Sequence, residues 1–307
     1  MGIKDAGSEL FARRFKGKAG IAALRELSRV WSRTLPLRRG VRFQEPQREA
    51  GAGEMLAVAT YNIHSCVGPD GRYAPERVAA VLRELDADIV ALQEVGRYRS
   101  DAAIKDQAKF LAEATGLQVI AVPEQHDYRG RFGNAILSRW PAARLRVLDL
   151  TAGIHGPRNA IDAEFEIDGR LLRVIATHFG LGGLERQRQT RRLLDAIADW
   201  PGADGAHNEV LVSALLMLGD LNEWRGRQGS LGALERRLGP MPLRPTFPSW
   251  LPLLPLDRIY APAPARLRDF RVHHSAVARK ASDHLPLYAR LVWPNEKQGR
   301  TESKRDG

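Results

Sequence analysis

The segment AIDAEFEIDGRLLRVIATH, residues 160–178, holds two runs of β-forming residues on either side of Asp168-Gly169. An Asp-Gly pair between two such runs is a strong signal for a tight β-hairpin. After this hairpin, the apolar pattern predicts a helix over residues 184–199 and a strand over residues 215–221. A hairpin followed by a helical crossover to another strand predicts a sheet with both antiparallel and parallel neighbours.

The same mixture of hairpins and helical crossovers extends in both directions, from residue 54 to about residue 294. The helix predicted over residues 75–85 has Pro75 in its first turn, and a second helix over residues 101–114 has Ser100 as its predicted cap. The pattern predicts further strands over residues 56–62, 88–93, 118–122, 134–138, 144–150, 257–260, 269–272 and 287–292, and a helical turn over residues 231–238. We therefore predict an α/β (α+β) fold of packed mixed sheets with helices outside.

The positive charge of the chain is concentrated at its N-terminus. The 307 residues carry a formal charge of +11, and residues 1–53 hold 12 Lys or Arg against 5 Asp or Glu. The remaining residues hold 35 basic and 31 acidic side chains, a net charge of only +4. This distribution weakens the case for a broad nucleic-acid groove on the folded body.

We divide the chain into a basic extension over residues 1–53, a folded body over residues 54–294 and a disordered polar tail over residues 295–307. In the extension, residues 21–35 form a predicted amphipathic helix that ends before Pro36, with Arg25, Arg29 and Arg33 opposite its apolar face. Such a helix is suited to peripheral contact with an anionic membrane. Two alternatives stay open: a helix docked on its own domain and a partly disordered basic arm.

The single cysteine, Cys66, excludes an intrachain disulfide and is consistent with a reducing compartment. The N-terminus lacks the uninterrupted apolar region of a secretory signal, and the longest apolar stretch, near residues 210–218, is far shorter than the ~20 residues of a membrane span. We expect a cytoplasmic protein, with peripheral membrane contact left open. The sequence does not indicate an oligomeric state.

Polar side chains occur at the ends of four apolar runs. Asn62 and Glu94 end the first two runs, Asp220 and Asn222 end the run that starts near residue 215, and Asp283 precedes the last predicted strand. Carboxylate and amide oxygens suit a hard divalent cation such as Mg²⁺ or Mn²⁺. Glu94 is the strongest ligand candidate, because a charge beside the core needs a partner.

The other side chains at these ends suit the hydrolysis of a phosphate ester. Asp220 is placed to orient a water molecule, and Asn222, two residues later, to donate its amide to the phosphate or the water. His178 and His284 can each donate to a phosphate oxygen or accept a proton, and Asp257 is a plausible partner for His284. Taken singly, each histidine is better explained by a structural role than by a catalytic one.

Seven motifs in order resemble the endonuclease/exonuclease/phosphatase family over residues 55–293. They are Thr-Tyr-Asn-Ile-His at 60–64, Leu-Gln-Glu-Val at 92–95, Gly-Asn-Ala-Ile-Leu-Ser at 133–138, Thr-His-Phe at 177–179, Gly-Asp-Leu-Asn at 219–222, Leu-Asp-Arg-Ile at 256–259 and Ser-Asp-His-Leu-Pro at 282–286. The resemblance implies a four-layered sandwich, two packed mixed sheets between outer helices, with the site at one end.

The resemblance also implies a role for each matching residue. It implies metal ligation or metal-side geometry by Asn62, Glu94 and Asp283; catalysis by His178, Asp220, Asn222, Asp257 and His284; and, from weaker matches, substrate binding by Asn134 and Arg158. For Arg158, which follows a Gly-Pro turn, a phosphate clamp and an exposed charge are equally open. The implied cofactor is Mg²⁺ or Mn²⁺.

The implied activity is metal-dependent hydrolysis of a phosphodiester by in-line attack of water, on a nucleic acid or a phospholipid head group. The body has no long basic, aromatic-rich insertion of the kind that grips a duplex, and residues 246–251 offer apolar side chains as a lipid-facing or substrate-facing lip. Residues 201–210 look like a polar insertion. A different class stays open: a noncatalytic membrane-surface or nucleic-acid-binding adaptor that retains the fold.

Overall fold

The computed structural model describes residues 55–97, 106–121, 125–127, 130–152, 156–198, 212–225 and 229–293. The predicted amphipathic helix, the polar tail and the insertion-like loop at 201–210 lie outside the described residues. The division of the chain into an extension, a body and a tail therefore stays a prediction.

Twelve strands and five α-helices make up the described body. The strands are β1 (Met55–Asn62), β2 (Ile89–Arg97), β3 (Gln118–Ala121), β4 (Gln125–Asp127), β5 (Gly130–Ser138), β6 (Arg144–Asp149), β7 (Asn159–Ile167), β8 (Arg170–His178), β9 (Val212–Asp220), β10 (Asp257–Tyr260), β11 (Arg266–Val272) and β12 (Leu287–Val292). The helices are α1 (Pro75–Leu85), α2 (Gln107–Thr115), α3 (Gly183–Ala198), α4 (Gly232–Leu238) and α5 (Ala278–Ala281), with a 3₁₀ turn at His64–Cys66. Within these residues, no helix combines the length and the apolarity needed to cross a bilayer.

The strands form two mixed sheets, as predicted. The first has seven strands in the order β11-β12-β1-β2-β5-β3, with β4 also paired to β5, and the second has the order β10-β9-β8-β7-β6. Each sheet contains one parallel pair among its described strands, β1 with β2 and β8 with β9. The two sheets pack face to face through a shared apolar core, and a second apolar cluster lies between the other face of the second sheet and helices α3 and α4.

The hairpin that opened the sequence analysis is confirmed. Asp168 and Gly169 both have positive φ angles, 51° and 73°, as a two-residue hairpin turn requires. Strand β8 then continues through α3 into β9, which pairs parallel to β8. This crossover brings the C-terminal ends of β8 and β9 to the same edge of the sheet.

One helix boundary differs from the prediction. The second helix begins at Gln107, and its cap is Asp106, whose side chain accepts a hydrogen bond from the backbone N–H of Lys109 at 3.1 Å. The predicted cap, Ser100, and the predicted helix start at residue 101 lie outside the described residues. Both residue types are good caps, and the apolar periodicity alone did not distinguish them. The predicted helix over residues 75–85 is confirmed at both ends.

Candidate active site

Three adjacent strand ends of the second sheet carry three of the predicted site residues. Asp220 at the end of β9 lies opposite His178 on β8 and opposite Asp257 on β10 in the strand register. Gly219, with a φ of 154°, permits this close approach, because a Cβ at this position would overlap the carbonyl oxygen of Thr177. All three side chains are buried.

Asn62 joins the two sheets at this edge. Its Nδ2 donates to Oε1 of Glu94 at 3.1 Å and to Oδ2 of Asp220 at 3.0 Å. Its Oδ1 accepts the backbone N–H of His64 at 3.0 Å, which sets the orientation of the amide. The N–H₂ group of Asn62 thus holds two carboxylates from different sheets side by side, while its oxygen accepts the hydrogen bond from His64.

Glu94 sits at a break in the strand ladder. The pairing of β2 with β5 shifts register between Leu92 and Val95, and Glu94 adopts a φ of 56°. Ser65 supports this turn through a hydrogen bond from its Oγ to the carbonyl oxygen of Glu94 at 3.2 Å. The irregular backbone is uncommon for a residue other than glycine and turns the Glu94 carboxylate toward Asn62.

Asp283 reaches the same place from the C-terminal part of the chain. Ser282 donates from its Oγ to the carbonyl oxygen of Asn62 at 2.7 Å, and its Oγ lies 3.4 Å from Oδ1 of Asp283. Oδ1 of Asp283 lies 3.8 Å from Nδ1 of His64. The charge of Asp283, together with that of Glu94, outweighs burial and raises the pKa of His64.

His284 and Asp257 form a buried pair, as the sequence predicted. Nδ1 of His284 lies 2.9 Å from Oδ2 of Asp257, which also accepts a hydrogen bond from Thr246, and the ring of Phe247 packs 4.9 Å from the imidazole. Nε2 of His284 lies 3.7 Å from Oδ2 of Asp220. Burial alone lowers the pKa of His284, but the carboxylates of Asp257 and Asp220 outweigh it and raise the pKa to about 10.

His178 has the opposite electrostatic character. Burial lowers its pKa to about 4, although Asp220 lies only 3.6 Å from its Nε2. The imidazole is therefore neutral at pH 7, and its Nε2 is 3.1 Å from Nδ2 of Asn222. Because this amide also donates to the carbonyl oxygen of Phe179 at 2.9 Å, both of its N–H groups are used when Nε2 accepts. The predicted donation from Asn222 to a phosphate stays a prediction and requires exchange of one of these bonds.

Asp220 is the common neighbour in this cluster. Burial raises its pKa, whereas His284, His178 and the hydrogen bond from Asn62 lower it, and burial dominates. Its Oδ1 accepts the backbone N–H of Asn222 at 2.9 Å. A buried carboxylate with a raised pKa beside one charged and one neutral imidazole is suited to orient or deprotonate a water molecule.

The two weaker matches lie along β5 and β7. Nδ2 of Asn134 donates to the backbone oxygen and to Oδ1 of Asn159, both at 3.1 Å. Arg158, the neighbour of Asn159, contributes a charge that lowers the pKa of His178. Asn134 therefore braces the strand start next to Arg158.

Two groups of side chains have the composition of a metal site. Glu94 and Asp283 are partly exposed carboxylates: Glu94 accepts a hydrogen bond from Asn62, and Asp283 lies 3.8 Å from Nδ1 of His64. Asp220, Asp257 and His284 form a second group, in which the potential ligand atoms lie within 4.8 Å of one another and every residue is buried. Oδ1 of Asp257 has no hydrogen-bond partner in the described part of the chain.

Sequence reasoning missed several residues of this site. It gave His64 no role, yet Nδ1 of His64 lies 3.8 Å from Oδ1 of Asp283. The neighbouring Cys66 is fully buried, and burial raises the pKa of its thiol. Sequence reasoning placed Thr246 and Phe247 only in the apolar lip over residues 246–251 and Ser282 only in a matched motif. It did not predict their contacts with Asp257, His284 and Asn62.

Comparisons with known proteins agree with this architecture. A family model described as "Endonuclease/Exonuclease/phosphatase family" matches residues 59–284. "Uncharacterized protein YbhP" of Escherichia coli (strain K12) is 29% identical over 259 residues, which cover 76% of this chain and 95% of that protein.

Solved structures show the same fold. An endonuclease/exonuclease/phosphatase from Beutenbergia cavernae superposes with a TM-score of 0.61 at 24% identity, over 79% of this chain and 72% of that one. D. rerio TDP2, complexed with a single-strand DNA product, superposes with a TM-score of 0.56 at 17% identity, over 77% of this chain and 98% of that one. At these identities the likeness establishes the fold, two mixed sheets with flanking helices.

Proposed function

Because the chain belongs to the endonuclease/exonuclease/phosphatase family, we propose that it is a divalent-metal-dependent phosphodiesterase that uses in-line attack of a water molecule. One observation carries this proposal. The buried carboxylate of Asp220 lies within hydrogen-bonding or ion-pairing distance of Asn62, His178 and His284, and Asn62 also holds Glu94. Five chain segments thus place acid, amide and imidazole groups around one point.

The burial and hydrogen bonds of each residue indicate its role in the reaction. Asp220 orients the attacking water and accepts its proton, because burial raises its pKa. His284 remains an imidazolium at neutral pH and donates from Nε2 to a phosphate oxygen, while Asp257 holds its Nδ1. His178 is neutral, and with Asn222 it sets the shape of the pocket on the opposite side. Arg158 supplies further positive charge for the phosphate, and Asn134 braces the neighbouring strand start.

Mg²⁺ or Mn²⁺ fits the partly exposed carboxylates Glu94 and Asp283 better than the buried group. A hard cation of this kind uses one or two carboxylates and keeps several waters, which requires access to solvent. In the buried group, Nδ1 of His284 and Oδ2 of Asp257 already pair with each other. When bound, the ion would neutralise charge on the phosphate. Asn62 would then fix the position of Glu94 relative to Asp220 rather than offer its own oxygen.

We expect the purified chain to hydrolyse bis(4-nitrophenyl) phosphate with Mg²⁺ or Mn²⁺ and to lose this activity in chelator. The measurement is nitrophenolate release across a metal series, with Ca²⁺ and EDTA as controls. Hydrolysis that persists in EDTA would contradict the metal requirement. If neither this ester nor a panel of plasmid, single-stranded DNA, RNA and phospholipid vesicles is cleaved, the noncatalytic adaptor replaces the enzyme as the better explanation.

An exposed lip beside the site favours a phospholipid substrate over a nucleic acid. Trp250 and Leu251 are 53% and 41% exposed, and the backbone N–H of Ser249 donates to the carbonyl oxygen of Asp283 at 2.7 Å. The Oγ of Ser249 also donates to the carbonyl oxygen of Arg279 at 3.3 Å. Arg279 and its neighbour Lys280 are both exposed. A tryptophan and a leucine next to basic side chains are suited to the interface of an anionic bilayer.

We expect Trp250→Ser/Leu251→Ser to lower the hydrolysis of phosphatidylglycerol vesicles, relative to hydrolysis of bis(4-nitrophenyl) phosphate, by about tenfold. Burial of two apolar side chains in lipid contributes at least the free energy that corresponds to a tenfold change in binding. The matched control is Leu145→Ser/Val147→Ser, which removes two apolar side chains of similar exposure, 48% and 49%, from the edge strand β6.

If the ratio of vesicle hydrolysis to bis(4-nitrophenyl) phosphate hydrolysis is the same in both double variants, Trp250 and Leu251 do not contact lipid during turnover. A chain that cleaves single-stranded DNA or RNA but no phospholipid would instead be a nuclease. In that case binding should weaken steeply with added salt, because contacts to the phosphate backbone release counterions.

A further inference from the structure

A buried carboxylate directly follows the last residue of the Gly-Asp-Leu-Asn motif. The side chain of Glu223 is fully buried, and its Oε2 accepts hydrogen bonds from the N–H of Ser230 at 3.0 Å and from the hydroxyl of Ser230 at 2.9 Å. Nη2 of Arg186 lies 3.1 Å from the same oxygen, and the backbone N–H of Arg225 donates to Oε1 at 3.0 Å. Burial alone raises the pKa of Glu223, but the hydrogen bonds from Arg225 and Ser230 and the charge of Arg186 lower it to about 2.

Arg186 links this carboxylate to the segment that follows His178. Its side chain is 2% exposed, and its Nη1 donates to the carbonyl oxygen of Leu181 at 2.6 Å and to that of Gly180 at 3.4 Å. Its Nε donates to the Oγ of Ser230 at 3.0 Å. One guanidinium thus connects helix α3, the exit of strand β8 and the loop after β9.

Arg258 links the same loop to strand β10. Its Nη2 donates to the carbonyl oxygen of Glu223 at 2.7 Å, and its Nη1 contacts the carbonyl oxygen of Pro255. Arg258 directly follows Asp257, the partner of His284. The three segments that carry His178, Asp220 with Asn222, and Asp257 therefore meet at Glu223 and its two arginines.

We propose that Glu223, with Arg186 and Arg258, is a positioning residue that holds these three segments in the geometry needed for turnover. Glu223 is separated from any substrate by Asn222 and acts through Asn222 and His178. This inference rests on the proposed phosphodiesterase function. The relevant magnitude is large, because a misplacement of about 1 Å at a reacting group costs on the order of 10²-fold in rate.

A buried ion pair can also serve stability alone, and the chain contains such a pair for comparison. Arg173 and Asp162 are both buried, and Nε and Nη2 of Arg173 donate to the two oxygens of Asp162, each at 2.7 Å. Arg173 lies on β8 five residues before His178, about 16 Å along the strand. Asp162→Asn is therefore a matched control for Glu223→Gln: the same chemistry in the same sheet, away from the site.

We expect Glu223→Gln to lower kcat on bis(4-nitrophenyl) phosphate by about 10- to 100-fold with KM changed less than threefold. In the glutamine variant, the amide N–H₂ would face the N–H and hydroxyl of Ser230 and the guanidinium of Arg186. Because these groups are donors too, the contacts are lost and the loop moves. Glu223→Gln and Asp162→Asn should lower the melting temperature by similar amounts, because each removes one partner of a buried ion pair. Asp162→Asn should nevertheless leave kcat within twofold of wild type. Rates are compared well below the melting temperature of each variant. If Glu223→Gln does not fold, Arg186→Lys keeps the charge but removes the fork to Leu181, and an intermediate loss of kcat is expected.

The inference is overturned if Glu223→Gln keeps its kcat, or if Asp162→Asn loses as much. A second readout does not depend on activity: crystal structures should show the side chains of Asn222 and His178 displaced in Glu223→Gln and unmoved in Asp162→Asn. Unmoved side chains in both variants would also overturn it. A wild-type chain that cleaves no phosphodiester would refute the proposed function, and the crystallographic comparison would still decide whether Glu223 positions the loop.

Discussion

We expect Asp220→Asn and Glu94→Gln each to lower kcat for phosphodiester hydrolysis by about 10³-fold. Removal of a group that orients or deprotonates the nucleophile typically costs 10²- to 10⁴-fold. In Asp220→Asn, the carboxylate that lies between His178 and His284 becomes an amide and can no longer accept a proton. In Glu94→Gln, the site loses one of its two partly exposed carboxylates. The measurement is steady-state turnover with a saturating concentration of Mg²⁺ or Mn²⁺.

The control for these two variants is Glu113→Gln, which removes a carboxylate that is 67% exposed on helix α2. We expect this control to keep its turnover, and circular dichroism to show that all three proteins are folded. The Glu94 variant should also require a higher metal concentration for half-maximal turnover. Turnover within a factor of three of wild type in the Asp220 and Glu94 variants would refute the proposed mechanism.

The second large effect concerns the His284–Asp257 pair. We expect His284→Gln to lower kcat by about 10²- to 10³-fold, because it removes a charged donor that faces Asp220. Asp257→Asn should cost about 10- to 10²-fold, since its Oδ2 pairs with Nδ1 of His284 at 2.9 Å, the imidazole nitrogen that faces away from Asp220. Asp257 thus acts through His284, so the double variant should be no slower than His284→Gln alone.

A double-variant cycle measures this coupling directly. Losses that multiply in the double variant would mean that Asp257 acts on its own, for example as a metal ligand in the buried group of Asp220, Asp257 and His284. Thr246→Val is the supporting test, because Thr246 donates to the same Asp257 oxygen. We expect it to cause a smaller loss in the same direction as Asp257→Asn.

Much of the fold followed from local pattern. The Asp168-Gly169 turn, the proline at the start of α1 and the apolar runs that end in Asn62 and Asp220 each specify a local geometry that tertiary context did not change. The start of α2 did not follow from the pattern, because serine and aspartate are comparable caps and both precede the apolar periodicity. The three-residue strand β4 is too short for a periodicity to be read.

The site was predicted less completely than the fold. Glu94 was predicted as a candidate because a charge at the end of a buried strand needs a partner. Its left-handed backbone conformation could not be predicted, since it arises where the pairing of β2 with β5 is irregular. The predicted donation from Asn222 to a phosphate or a water stays a prediction. The contacts of its amide with Phe179 and His178 could not be predicted, because these residues are about 44 positions away in the chain.

The sequence by itself determined which chemical groups are present and which apolar runs they border, because hydrophobic periodicity and turn residues act over a few neighbouring positions. Only the tertiary structure decided which of these groups share a hydrogen bond and which imidazole is charged. The two histidines show the physical reason: both lie near Asp220, yet His284 also meets Asp257 and stays protonated, while burial keeps His178 neutral. A pKa depends on the distances between groups that are remote in the chain, and these distances are set by folding.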